Sequence, residues 1–143
     1  MCTETGKEEK MGKNWITGTH HVAVKSADEA AYKKTMEFYR DILGLDLIRT
    51  WGEGKDAGAM LGTDNFKMEI YASGRTSDET GSIHHFAFAT NDVDSCIEAA
   101  RNAGYEITVE PKDIVIGSEP PYPARIGFCI GPNGEEIEFF CEK

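Results

Sequence analysis

The chain has 143 residues, 40% of them hydrophobic and 28% charged, and a net charge of -10. That length suits one compact domain able to bury roughly 68–70% of its unfolded surface. The acidic balance argues against binding to a nucleic-acid backbone, which rests on clustered Lys and Arg. No apolar run is long enough for a membrane-spanning helix.

Residues 1–14, MCTETGKEEKMGKN, lack the basic-then-apolar pattern of a signal peptide and are expected to form a disordered tail ahead of one domain over 15–143. The expected location is therefore the cytoplasm. Cys2, Cys96, Cys129 and Cys141 show no CxxC spacing, which suits reduced thiols rather than disulfides or a thiolate metal site.

The first strong pattern is HHVAVKSAD at 20–28, where apolar and polar residues alternate from His21 as in a strand with one apolar face. SADE at 26–29 matches a capping box, and Tyr32, Met36, Tyr39 and Leu43 then recur at helical spacing up to Gly44, a candidate left-handed C-cap. LDLIRTW (45–51), AGAML (57–61) and FKMEIYA (66–72) follow as strands, with a turn at GEGKD. Module one thus spans 16–73 in the order βαβββ, and the polar stretch GRTSDETGS at 74–82 is a linker.

The same phrase then returns. SIHHFAFAT predicts a strand, Val93, Cys96, Ile97 and Ala100 line one face of a helix stopped by Gly104, and YEITVE, RIGFCI and EEIEFFC complete a second βαβββ module over 82–142. HHVAVKSAD and HHFAFATND share His20/His84, His21/His85, Ala23/Ala87 and Asp28/Asp92. The two copies differ most between the helix and the last strand, where the second is longer and holds Pro111, Pro120, Pro121 and Pro123. That segment, 111–124, is expected to be a long stiffened loop and a candidate lid.

Strand parity sorts the polar residues. Val22 and Val24 share a face with His20, and Phe86 and Phe88 with His84, so His20 and His84 fall on the packing side as structural or supporting groups while His21 and His85 point the other way beside small Ala23 and Ala87. Glu69 and Glu138 leave the last strands on that second side. A lone Glu on a polar strand face is most often simply solvated, and a lone His is often structural. Equivalent placement in two modules favours instead a divalent-metal site of two nitrogen and two oxygen donors, suited to Zn²⁺, Ni²⁺, Co²⁺, Fe²⁺ or Mn²⁺.

HHVAVKSAD, FYRDILGLDLIRT (38–50), SIHHFAFATNDVD (82–94), GPNGEEIEFF (131–140) and the pair Glu69 and Glu138 resemble the vicinal oxygen chelate superfamily (glyoxalase, bleomycin resistance, dioxygenase), most of all its glyoxalase I branch (lactoylglutathione lyase). The resemblance covers about residues 19–142. It implies an α+β fold of two tandem βαβββ modules forming a partial barrel, with His21, Glu69, His85 and Glu138 as ligands of one divalent metal, Ni²⁺, Co²⁺ or Zn²⁺ first, Mn²⁺ or Fe²⁺ otherwise. It also implies a homodimer with shared sites and an activity in methylglyoxal detoxification. In that activity a 2-oxoaldehyde thiol hemithioacetal becomes a 2-hydroxyacyl thioester through a metal-stabilised enediolate, with Glu138 as base and Glu69 as its symmetry mate. Many glutathione-using members place Arg and Asn where this chain has Lys25 and Ser73, so substrate contacts at these positions are altered. The competing readings are a methylmalonyl-CoA-type epimerase or another metal-dependent member, and a metal-free module binding a small ligand.

Overall fold

The computed structural model describes residues 19–76, 81, 83–118 and 120–143. The expected tail over 1–14 and linker residues 77–80 and 82 lie outside them. The first half runs β1 (Val22–Lys25), α1 (Glu29–Met36, extended by a π-helical turn over Glu37–Ile42), β2 (Asp46–Trp51), a 3₁₀ turn at Gly54–Asp56, β3 (Gly58–Gly62) and β4 (Lys67–Tyr71). The second runs β5 (Phe86–Ala89), α2 (Val93–Asn102), β6 (Ile107–Ile116), β7 (Tyr122–Ile130) and β8 (Glu136–Glu142). Both halves are βαβββ.

Each half makes one four-stranded sheet, ordered β1-β4-β3-β2 and β5-β8-β7-β6. The helix carries the chain back over the sheet so that the first strand lies parallel to the last, and the remaining pairs are antiparallel. This return sets the site: Ala23 pairs with Glu69 and Ala87 with Glu138.

Both helices start on an aspartate. Asp28 accepts a hydrogen bond from the Ala31 N–H at 2.8 Å, and Asp92 from the Ser95 N–H at 3.0 Å, satisfying donors that a helix N-terminus leaves open. The capping-box expectation is corrected: Asp28 is the cap, two residues after Ser26, which is buried with its hydroxyl unpartnered among the described residues. Gly44 (φ 84°) and Gly104 (φ 91°) follow the helices in the left-handed conformation, as the sequence suggests.

One core joins the halves. Phe38 and Tyr39 from the first helix, Leu61, Met68 and Ile70 from β3 and β4, Val93 and Ile97 from α2, and Ile137 and Phe139 from β8 are all buried in it. Phe38 meets Tyr105 with ring centroids 4.5 Å apart, Phe66 meets Phe88 at 5.1 Å, and the Asn133 amide donates to the buried Thr35 hydroxyl at 2.9 Å. At Gly127 a Cβ would stand 2.7 Å from Ile97, so the missing side chain is what lets α2 seat on β7.

The loop expected over 111–124 is a β-hairpin. β6 continues through Pro111 to Ile116 and β7 begins at Tyr122, leaving only a short connection between them. Proline is tolerated because β6 is the edge of its sheet, and the pairing slips in register between Val109 and Lys112 around it. Cys96, Cys129 and Cys141 are free thiols, and burial pushes Cys129 up to about 12.

Candidate metal site

The structure brings together the two His–Glu pairs that parity places on one side, one pair in each half. His21 Nε2 stands 3.4 Å from Glu69 Oε2, and His85 Nε2 stands 3.1 Å from Glu138 Oε2. Each histidine immediately precedes the first strand of its half, and each glutamate lies on the adjacent parallel strand. Ala23 and Ala87, opposite the glutamates, add no bulk above them.

His20 and His84 are not packing residues. Both stand one residue further from the ladder than His21 and His85 and are exposed, with 80% of the His84 side chain accessible, so strand alternation no longer sets the face they take. They bond their neighbours instead: Nδ1 of His20 and His21 are 2.8 Å apart, and Nδ1 of His84 and His85 are 2.7 Å apart. A ring held through Nδ1 presents Nε2 in one orientation, the function an outer partner serves for a metal-ligating histidine.

The surroundings of the two carboxylates differ. Glu138 has a side chain only 10% exposed, and burial raises its pKa against the opposing pull of His85. The ring of Phe128 lies 5.3 Å from that of His85 and closes this side with apolar surface. Glu69 is 17% exposed and accepts a hydrogen bond of 2.6 Å from the Tyr71 hydroxyl. That bond, aided by burial, raises the Tyr71 pKa. No spacing rule marks Tyr71 in advance; its only signal is its position two residues after Glu69, on the same strand face.

The donor set fits a divalent ion. Two donors each about 2.1 Å from one ion stand about 3.0–3.5 Å apart, which is how far the histidine nitrogen and carboxylate oxygen are in both halves. The described residues contain no group of three or more His, Cys, Asp or Glu able to hold a metal; each half brings one His and one Glu together. Lys25 and Arg75 line a cleft of about 360 Å³ between β1 and the start of β5, together with Ala23, His84, His85 and Glu136. Ser73 donates its hydroxyl to the Lys55 carbonyl at 2.8 Å, which ties it to the turn before β3.

Two βαβββ halves, each with a His just ahead of its first strand beside a Glu of its last strand, define a class, and comparison with known proteins names it. The chain belongs to the glyoxalase/bleomycin resistance protein/dioxygenase superfamily, whose family model matches residues 18–139. It is 32% identical over 126 residues to a lactoylglutathione lyase of Arabidopsis thaliana, covering 82% of this chain and 42% of that protein. The chain thus spans less than half of the plant relative's length. It is 27% identical to a lactoylglutathione lyase of Haemophilus influenzae, covering 77% of this chain and 84% of that protein. The same fold occurs in the fosfomycin resistance protein of Listeria monocytogenes, solved with Mn(II) and sulfate: the TM-score is 0.66 at 17% identity, covering 90% of this chain and 94% of the other.

Proposed function

We propose that this chain is a metal-dependent lyase of the glyoxalase I type, acting on the hemithioacetal of a 2-oxoaldehyde and a thiol and releasing a 2-hydroxyacyl thioester. The observation that carries the reading is the pair of His–Glu distances, 3.4 and 3.1 Å, in equivalent places of the two sheets. The names of the Arabidopsis and Haemophilus relatives support it. His21, Glu69, His85 and Glu138 would hold the ion, with Ni²⁺, Co²⁺ or Zn²⁺ first and Mn²⁺ or Fe²⁺ otherwise. When bound, it supplies Lewis-acid stabilisation of negative charge developing on the substrate oxygens.

The chain's own residues divide the remaining work. Glu138, the more buried carboxylate with the raised pKa, is the base that takes the proton from the carbon beside the carbonyl and returns it to the neighbouring carbon. Glu69 is its symmetry mate across the site. His20 and His84 hold the ligating rings through Nδ1. Lys25, in the cleft beside β1, is placed to meet a substrate carboxylate as a point charge.

The complete site is proposed to form between two copies, the first half of one facing the second half of the other. Each His–Glu pair lies on a sheet face away from the shared core, and no third donor joins either pair among the described residues. Leu47, Ile48, Val115, Ile116 and Tyr122 add exposed apolar surface on β2, β6 and β7 that a second copy would cover.

A second reading, the same proton transfer on a substrate without glutathione, as in an epimerase, is favoured by Ser73, whose hydroxyl is taken by Lys55 rather than offered to the cleft. One experiment separates the readings. The protein is stripped with a chelator and reconstituted with Ni²⁺, Co²⁺, Zn²⁺ or Mn²⁺ in turn, and conversion of the methylglyoxal–glutathione hemithioacetal is followed. The lyase reading expects turnover that depends on the metal. Stoichiometric binding without turnover would leave the second reading, and failure to bind any of the four would remove both.

A further inference from the structure

The two half-sites are copies in sequence order but not in their support, and from this we infer that Tyr71 is a positioning residue that makes them inequivalent. Its phenol fixes Glu69 as the stationary carboxylate and leaves Glu138 as the one free to move. The inference rests on the reading of His21, Glu69, His85 and Glu138 as metal ligands.

Tyr71 donates to Glu69 Oε2 at 2.6 Å, and this same oxygen stands 3.4 Å from His21 Nε2. A short bond from hydroxyl to carboxylate is among the stronger hydrogen bonds, and it selects one rotamer of the acid. The phenol ring is itself supported. Strand register sets Tyr71 opposite Gly58 and Gly58 opposite Trp51, so the three form one row across β4, β3 and β2. The row closes only because its middle member is glycine: a Cβ on Gly58 would stand 2.3 Å from the Trp51 indole. Trp51 then meets the Tyr71 ring edge-on at 5.8 Å. Indole, phenol, carboxylate and imidazole thus follow one another in contact along one face of the sheet.

The second half does not repeat this row: register sets Phe140 opposite Ile126 and Ile126 opposite Lys112, where the first half has Tyr71, Gly58 and Trp51. Two residues after Glu138 comes Phe140, paired with Ala89 and Ile126. Its ring packs on Tyr122 with centroids 5.6 Å apart and carries no hydroxyl to offer. Among the described residues the Glu138 carboxylate is met by His85 at 3.1 Å and by no hydroxyl. A carboxylate that has to turn between a ligand's role and a base's role is better served by the half that lacks a phenol. One that must stay in place is better served by the half that has it.

The test uses the full chain with Co²⁺ as the probe, reading affinity by competition with a chelating indicator and ligand geometry from the d–d absorption spectrum. Removal of an outer partner of a ligand typically weakens metal binding about 10–100-fold. Tyr71→Phe is expected to weaken Co²⁺ binding by about tenfold or more and to alter the spectrum, with the far-UV circular dichroism and melting temperature of the metal-free protein unchanged. Trp51→Leu should shift both readouts in the same direction by less. Phe140→Leu, the matching site in the other half, should leave affinity and spectrum as in the parent. Unchanged affinity and spectrum in Tyr71→Phe would overturn the inference, as would an equal loss in Phe140→Leu. Absence of Co²⁺ binding by the parent protein would instead overturn the metal-site reading, and the inference with it.

Discussion

At the scale of single residues, the proposed function is concentrated in six side chains, His20, His21, Glu69, His84, His85 and Glu138, with Tyr71 beside them. Replacing Glu138 by Gln keeps the shape of the side chain, turns one acceptor oxygen into a donor amide and removes its basicity. Steady-state kinetics of the variant are expected to show turnover lower by about 10²–10⁴-fold, the usual contribution of a general base, with circular dichroism unchanged. Rates near those of the parent would show that the proton goes elsewhere. His84→Phe removes the group that holds His85 through Nδ1. A metal titration should then show binding weakened about 10–100-fold, and unaltered binding would make the His–His contact incidental. The closeness of each His–Glu pair was legible in the sequence because the repeat and period-two alternation, carried one residue past the start of each ladder, act together on His21, Glu69, His85 and Glu138. The exposure of His20 and His84 was not, since both lie a further residue out, where no strand pairing remains to set the face.

Among the elements, the β6–β7 hairpin departs furthest from what the sequence implies. Proline clusters usually mark loops, yet here Pro111 sits on an edge strand and at a register slip, where its missing N–H leaves no ladder bond unmade. Nothing local in the sequence announces which strand will be the edge, so the hairpin could not be read before the sheet order was known. The middle of the hairpin is tied to α2 by Arg125, which donates to Asp94 at 2.7 and 2.8 Å and to Asp113 at 3.3 Å. The hydrogen bond from Arg125 holds the Asp94 carboxyl below its ordinary range, and hydrogen bonds from Lys143 and then Arg125 do the same for Asp113. A lowered pKa in the folded state contributes stability that is present above the unfolded-state value and is lost as pH falls through the folded value. Urea denaturation of Arg125→Met is therefore expected to show less stability than the parent at neutral pH and a difference that closes in acid. A difference independent of pH would mean that Arg125 acts through its aliphatic packing. At the helix–sheet contact, Gly127→Ala should cost about 1–3 kcal/mol in the same assay, because the new methyl overlaps Ile97. A neutral effect would show that α2 can shift without loss.

For the whole molecule, the arrangement of the two sheets is the deciding fact. Helices, β3, β4, β7 and β8 pack together into one core, and the two His–Glu pairs are left on separate sheet faces. The βαβββ order of each half was readable from helix punctuation and alternation, but the way the halves meet was not. Their meeting depends on aromatic contacts such as Phe38–Tyr105 and Phe66–Phe88, between residues far apart in the chain. The proposed metal site is completed by a second copy, and mixing two variants tests this directly. His21→Ala removes a ligand from the first half and His85→Ala one from the second; each homodimer then has only damaged sites. In a heterodimer, co-expressed with two tags and purified through both, the two damaged halves fall in one site and the two intact halves in the other. The measurement is Ni²⁺ bound per heterodimer after removal of weakly held metal. One tightly bound ion where each homodimer retains none is the predicted result; a heterodimer that retains no more than either homodimer would contradict the shared site.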